Sequence, residues 1–572
     1  MKNKPPHFKA WPLFPLLLAA LLAAPIAAQP VFTDVTPTAN PFFATPEDED
    51  FWLSSLAPAD IDGDGDLDLA AIGFYVVYDK SVEDHLLIFK NQGRDGSGNW
   101  IFTNVEVPLD GMTAGSSDLA WGDFDGDGDE DLAVGSNGET VIFRNDAGAL
   151  AALPNQLPGY DEFASYASVY DLRSITWADY DNDADLDLLL PSVYAPSTGF
   201  TNALLRNDGA NAGGGWIFTE TQAAIEPSLH AQSTWADEDG DGDLDLLLQS
   251  IDPDGRDSFL KLFRNEPAGF EAEPLLDFAD LDGMVDWADA DADGDLDLLV
   301  AGNLRDPDEM YRTVLRIYRN DGASGFTPIT LAEGWSNEWL DFLAATWADY
   351  DSDGDIDVLA TGSFIGEEKI EGHSKVYAND GNTWSVLPLE LPAPVSSVGR
   401  GGAFTWLDLE GDGDLDYLVG GAYYRPNGNG LVEAKLKLYL NETPDPNQPP
   451  APPTGLRASP AGNDGVFLEW TAALDDHTAA AALTYDLEVR RLGSPAAPGR
   501  RLPEPGNLSH GQSWRLDGLP AGTYSYSLCA VDSALNPGAK AQGTFTIGPP
   551  LLFQDGFETG NTSRWSMAVT PQ

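Results

Sequence analysis

The chain has 572 residues, more than one hydrophobic core accommodates, so several domains or one large repeat architecture is expected. Hydrophobic residues make up 42%, with 16 Trp, 18 Tyr and 26 Phe, which excludes an acidic disordered polymer. Lys and Arg number 30 against 93 Asp and Glu, and the formal charge of -63 excludes a nucleic-acid or anionic-membrane surface and favours cations as partners.

The first 28 residues have the pattern of an export signal. Lys2, Lys4 and Lys9 precede an apolar run from Trp11 to Ala24, and small residues offer cleavage near Ala28. The run is shorter than the roughly 20 residues of a membrane span and is followed by Pro25. The expected destination is secreted, extracellular or cell-surface, with no integral membrane span. Cys529 is the single cysteine, so no internal disulfide is expected, and it reads as a small buried hydrophobe.

An aspartate string then recurs seven times. It begins as "DIDGDGDLD" at Asp60 and returns at Asp123, Asp179, Asp237, Asp289, Asp349 and Asp408, at intervals of 63, 56, 58, 52, 60 and 59 residues. Such a period means one supersecondary unit per copy. Trp121, Trp177, Trp235, Trp287, Trp347 and Trp406 each stand two residues before the string, with Pro58 in the first copy, and are expected as core aromatics. After each string come an apolar run, then an asparagine in "FKN", "FRN", "LRN" or a similar triplet, and in several copies a run such as "IFTNVEV". Four short β-rich runs per unit in seven units predict an all-β, seven-bladed propeller. The seventh unit lacks its last strand, while "VFTDVTP" stands alone at Val31, so Val31 to Val35 is expected beside Lys435 to Leu440.

The string reads D-x-D-x-D-G-x-x-D with a further acid at position 7. Side chains at positions 1, 3, 5 and 9 with the carbonyl of 7 match the six to eight oxygen ligands that Ca2+ takes at about 2.3–2.6 Å, and glycine at 6 permits the turn. Without a cation, each pair of carboxylates about 4 Å apart repels by ~4 kcal/mol at an effective dielectric of about 20. Mg2+, with its strict octahedron, suits the string less well. The metal candidates are Asp60, Asp62, Asp64, Asp66 and Asp68, then Asp123, Asp125, Asp127, Asp129 and Asp131. Asp179, Asp181, Asp183, Asp185 and Asp187 form the third set, and Asp237, Asp239, Asp241, Asp243 and Asp245 the fourth. Asp289, Asp291, Asp293, Asp295 and Asp297 follow, then Asp349, Asp351, Asp353, Asp355 and Asp357, and last Asp408, Glu410, Asp412, Asp414 and Asp416. Ala184 replaces the turn glycine and Glu410 the third aspartate, so those two sites are expected to be weakest.

Units such as "WGDFDGDGDEDLAVGS…VIFRNDAG" resemble the FG-GAP/VCBS repeats of integrin α-subunit propellers and of many secreted bacterial proteins, over about residues 31–443. The resemblance implies one Ca2+, up to seven in all, in the loop joining strands 1 and 2 of each blade. It also implies a protein or glycan partner on the opposite face. Four loops are nominated there: "YVVYDKSVEDH" from Tyr75, "SIDPDGRDS" from Ser250, "NLRDPDEMYRT" from Asn303 and "AYYRPNGNG" from Ala422.

A Pro-rich linker over 444–452 ends the propeller region of 29–443. Residues 453–548 resemble a fibronectin type III domain, an added β-sandwich with Trp470 as its core tryptophan and Tyr524, after "LPAGT", as its tyrosine corner. The tail over 549–572, with "LLFQDGFETGNTSRWS", resembles a short C-terminal sorting segment of exported proteins. No metalloprotease helix motif, nucleophile elbow or phosphate loop occurs, so no enzyme is expected. The reading is an exported, calcium-binding adhesion or interaction scaffold; the alternatives are a lectin-like carbohydrate binder and a polysaccharide-active enzyme on the same propeller.

Overall fold

The computed structural model describes residues 32–37, 50–76, 84–109, 117–136, 139–153, 174–195, 199–211, 215–252, 258–275, 281–305, 311–335, 340–365, 370–381, 383–387, 391–392, 404–424, 432–442, 447–462, 465–493 and 510–548. Among them the chain is all β, with no α-helix and one 3-10 turn at Gly322–Ser324. No helix of the described residues is long and apolar enough to cross a membrane. The export signal, the C-terminal tail and the tips of the four nominated partner loops (77–83, 253–257, 306–310 and 425–431) lie outside the described residues.

Seven sheets follow one plan, four antiparallel strands paired in chain order. The second is representative: Ser117–Gly122, Asp131–Ser136, Glu139–Asn145 and Leu150–Ala152. The aspartate string always joins strand one to strand two, and its ninth residue opens strand two, as Asp131 does here. The sixth sheet adds Leu391–Pro392 beside Ile370–Asn379. Alternation explains the inner strands. Leu132, Ala133 and Val134 point to both faces in turn, yet all are buried, so both faces of their strand are covered.

The seventh sheet takes its fourth strand from the start of the chain. Phe32–Asp34 pairs antiparallel to Val432–Asn441, with Phe32 opposite Asn441 and Asp34 opposite Tyr439. The pairing lies at the C-terminal end of the range expected from sequence, and Val35 N–H extends it to the Leu438 carbonyl at 3.0 Å. Lys437 Nζ, 2.7 Å from Asp34 Oδ2, secures it at the edge.

Each pair of consecutive sheets shares an apolar cluster. Between the second and third, Trp177 is 1% exposed, stacks on Phe124 at 5.8 Å and donates its Nε1–H to the Ala120 carbonyl at 3.1 Å. Between the seventh and first, Leu407, Leu418 and Leu438 meet Leu69, Phe89 and Trp100. The stack therefore returns to its start, and the other five interfaces follow the same order. The tryptophans that precede the strings fill these interfaces, although Trp287 is only half-buried.

Two three-stranded sheets complete the described chain. One holds Thr454–Ala461, Gly465–Thr471 and Ser513–Leu516; the other holds Thr484–Arg491, Gly522–Val531 and Ala541–Ile547. Leu468, Leu487, Trp514 and Leu528 share their core. Trp470 packs edge-on against Tyr485 at 5.3 Å, and Tyr524 donates its hydroxyl hydrogen to the Pro520 carbonyl at 2.7 Å. Cys529 is buried in the same region.

Trp177→Ala is expected to lower stability by about 3–5 kcal/mol in chemical denaturation, because it removes a buried ring and leaves a cavity between two sheets. Trp177→Phe, which keeps the ring–ring contact, is expected to lose less than half of that.

Candidate metal centre

Each string folds as a loop closed on its own carboxylates. Asp123 Oδ1 accepts Asp127 N–H at 2.9 Å and Oδ2 accepts Gly128 N–H at 3.0 Å. Asp60, Asp289, Asp349 and Asp408 grip residues five and six of their own strings in the same way. The backbone is left-handed at position 6 and also at position 4, as in Gly63 (φ 72°) and Gly65 (φ 93°). Asn182, Ala292 and Ser352 adopt the same φ at position 4, of 62°, 57° and 57°. Ala184 does so at position 6 (φ 74°) and still gives its N–H to Asp179 Oδ2 at 3.1 Å, so the third loop keeps its shape despite the substitution. The sequence pattern pointed to the turn at position 6; the second left-handed position is visible in it only as a glycine in four of the seven copies.

The loops bring carboxylate oxygens together. One oxygen each from Asp60, Asp62 and Asp64 lie within 4.8 Å of one another, and so do those of Asp123, Asp125 and Asp127. In three further loops the triad is Asp179, Asp181 and Asp187; Asp237, Asp239 and Asp245; and Asp289, Asp291 and Asp297. Positions 1 and 3 thus recur with either 5 or 9. None of these triads uses the side chain of position 7, whose Asp66 and Asp185 are exposed. In the seventh loop Glu410 pairs with Arg94 of the first sheet.

The donor set fits a hard divalent cation on a separate count. Asp62 Oδ1, Asp181 Oδ1, Asp291 Oδ1 and Asp351 Oδ1, the same oxygen at position 3 of four loops, are buried without a hydrogen-bond partner. Asp131 Oδ2, Asp187 Oδ2 and Asp414 Oδ1 are likewise unmatched in residues at most 3% exposed. Such an oxygen costs about 1–3 kcal/mol or more when charged, and a cation would satisfy it.

Position 9 ties the loop to its sheet. In all seven units the carboxylate Oδ1 accepts the N–H of the asparagine that follows the aromatic triplet: Asn91, Asn145, Asn207, Asn265, Asn320, Asn379 or Asn441, at 2.6–2.9 Å. At five of these asparagines the side chain also reaches the preceding loop. Asn145 Nδ2 donates to the Ile61 carbonyl, Asn207 to Phe124, Asn265 to Tyr180, Asn379 to Ala290 and Asn441 to Tyr350. Sequence spacing marked this column without giving it a role. The residue before it supplies partial charge compensation: Lys90 lies 3.3 Å from Asp62, Arg144 2.7 Å from Asp125 and Arg264 2.6 Å from Asp239.

Burial raises the carboxyl pKa at position 9 throughout, with neighbouring carboxylates adding to it. Asp68 is pushed up to about 6, Asp131 to about 9, and Asp245, Asp297 and Asp416 to about 7. Asp187 and Asp357 lie well above the ordinary range.

Two outcomes are expected. Asn379→Ala leaves the Ala290 and Ile356 carbonyls without their donor and should cost about 2 kcal/mol in denaturant titration. The second concerns pH. A carboxyl whose folded pKa is raised contributes stability that is complete below its unfolded pKa and lost as pH rises through the folded value. In chelator, therefore, the melting midpoint should fall from about pH 5 to about pH 8, and a divalent cation should raise it more at the upper pH.

Two segments, residues 123–190 and 289–360, match the family model described as "FG-GAP-like repeat". No curated protein matches the chain. Among solved structures, one described as "Structural basis of specific recognition of non-reducing terminal N-acetylglucosamine by an Agrocybe aegerita lection" is 17% identical with a TM-score of 0.37, over 60% of this chain and 81% of that one. The FN1-FN3 domains of chicken CNTN1 match at 11% identity and a TM-score of 0.19, over 46% of this chain and 98% of that one. The chain carries FG-GAP-like repeats in an all-β fold of repeated four-stranded sheets.

Proposed function

We propose that the seven sheets are the blades of a propeller whose loops hold up to seven Ca2+ ions, and that the exported protein is an adhesion or interaction scaffold for protein or glycan. One observation carries the metal reading: the same third-position oxygen is buried and unmatched in four separate loops, and in three of them it stands beside two further acids. Ca2+ suits loops that differ in which carboxylates converge, since its shell is flexible in number and angle. In that reading the ligands are the carboxylates at positions 1, 3, 5 and 9 with the carbonyl at 7. Bound cations would hold each loop in place by neutralising it; they supply no chemical step.

The two C-terminal sheets are read as a fibronectin type III-like module over 453–548. The Tyr524–Pro520 hydrogen bond and the buried Trp470 support that assignment. The module rests on the aspartate-loop side of the sheets, where Asp517 N–H meets the Asn182 carbonyl at 3.1 Å and Ser533 meets Asp349. The opposite side, with the connections between strands two and three, is then the side for a partner. Arg312, in the loop nominated there from Asn303, is engaged by Glu333. That favours a scaffold over a catalytic cleft.

Thermal unfolding of the mature protein in EDTA and in millimolar Ca2+, with ions counted by native mass spectrometry, tests the reading. A Ca2+-specific rise in midpoint with up to seven bound ions is expected. Absence of both a shift and bound ions would remove the metal assignment. For the scaffold role, protein and glycan arrays should show binding that chelation abolishes, and blank arrays would count against it.

A further inference from the structure

The sixth loop, Asp349 to Asp357, combines two features. In the first five units the residue before the asparagine is basic (Lys90, Arg144, Arg206, Arg264 and Arg319), whereas here it is Ala378 and in the seventh unit Leu440, whose loop draws Arg94 to Glu410 instead. The sixth loop therefore has no basic residue at the place from which Arg144 and Arg264 reach their acids.

It is also the loop on which the C-terminal sheets bear most closely. Ser533 donates its hydroxyl hydrogen to Asp349 Oδ2 at 2.6 Å, and Asp349 N–H points to the Ser533 carbonyl at 3.4 Å. Ser533 is in turn held by Thr478, whose Oγ1 lies 2.8 Å from Ser533 Oγ and accepts Ser533 N–H at 3.2 Å. A side chain on Gly354 would collide with the His477 carbonyl, so backbone meets backbone there. Ala534, 1% exposed, enters the apolar cluster of Tyr350, Trp406 and Tyr417. Beneath this cover, Asp351 Oδ1 and Ser352 Oγ are buried without partners, and Ser352 is only 3% exposed.

These contacts set up an electrostatic conflict. Asp349, Asp351 and Asp357 share a loop partly closed over by another part of the chain, with Asp353 left exposed, and the adjacent strand carries Ala378 where five other units carry a basic residue. Like charges a few ångströms apart repel more strongly as water is removed. A divalent cation would relieve that repulsion, and Asp349 would face it with a carboxylate already oriented by Asp353 N–H, Gly354 N–H and the Ser533 hydroxyl.

We infer that Ser533 is a positioning residue for the sixth cation site, so that occupancy of that site and docking of the C-terminal sheets on the loop side stabilise one another. The inference rests on the cation reading given above. Linkage is reciprocal: whatever the ion gains from the docked sheets, the docking gains from the ion.

The test uses the full mature chain, with Ca2+ as the probe. Native mass spectrometry during a Ca2+ titration gives ion number and affinity. Hydrogen exchange followed by mass spectrometry reads the amides of Asp517 and Ser533, both bonded within or across the interface. Ser533→Ala is expected to weaken one ion by about tenfold, the lower end for loss of a group that orients a metal ligand, and to leave the others unchanged. Ser533→Thr, which keeps the hydroxyl, should restore it. In wild type, EDTA should accelerate exchange at both amides. Ion affinities unchanged by Ser533→Ala, or interface exchange equal in Ca2+ and EDTA, overturns the inference while leaving the cation reading intact. An ion count of zero in wild type removes both together.

Discussion

The fold turns on seven buried aspartates that each do two things at once. The carboxylate at position 9 opens strand two with one oxygen fixed by an asparagine N–H, as in Asp131 with Asn145 at 2.8 Å. The same group stands within the acidic loop, where Asp123, Asp125 and Asp127 raise the cost of its charge. Backbone order and charge concentration are therefore inseparable. The loop cannot relax away from its acids without releasing the asparagine, and that asparagine also holds the neighbouring loop through Ile61. A charge problem in one sheet is thus passed to the next wherever such a tie is made, at Asn145, Asn207, Asn265, Asn379 and Asn441.

Much of this was legible in the sequence because the repeat is covalent in origin: the spacing of strings, tryptophans and asparagines follows directly from strand lengths. The borrowed strand at Phe32–Asp34 was also legible, since one unit lacked a strand and the chain began with a spare. What was not legible depends on three-dimensional neighbours. The asparagine column looks like a strand terminator in one dimension, and only the next loop along reveals its side-chain donors as ties between sheets. The left-handed position 4 is hidden because Asn182, Ala292 and Ser352 accept it where glycine would be the obvious marker. Ala292 and Ser352 have no general preference for that region and are held there by the carboxylate grip on either side.

The placement of the C-terminal sheets was likewise beyond one-dimensional reading. A linker rich in proline suggests separation, yet Asn447, within it, is buried and donates to Asp532 Oδ2 at 2.7 Å. Two glycines at position 6, Gly354 and Gly413, then acquire a second reason to be glycine. Gly413 would place a side chain 2.7 Å from the Asn447 carbonyl oxygen, so the turn residue of the loop is also the point of closest approach for the docked chain. One residue satisfies a local torsional demand and a distant steric one, and a sequence pattern registers only the first.

Seven loops of one backbone shape are not seven equal sites. Arg144 offsets Asp125 and Asp127 in the second loop, and Arg264 engages both Glu238 and Asp239 in the fourth. Glu410 in the seventh is drawn toward Arg94 of another sheet. Each such pair reduces the field that attracts a cation and also competes for the very oxygens that would bind it. The sixth loop lacks the neighbouring basic residue and is closed by a hydroxyl instead. Affinity should therefore be graded by the residue before each asparagine and by what covers the loop, more than by departures from the aspartate pattern itself. The third loop illustrates the point: Ala184 breaks the pattern, yet the Asp179 grip is kept at 3.1 Å. Pattern fidelity sets the shape of a loop; in the proposed reading, the charges around that shape would set how strongly an ion is held.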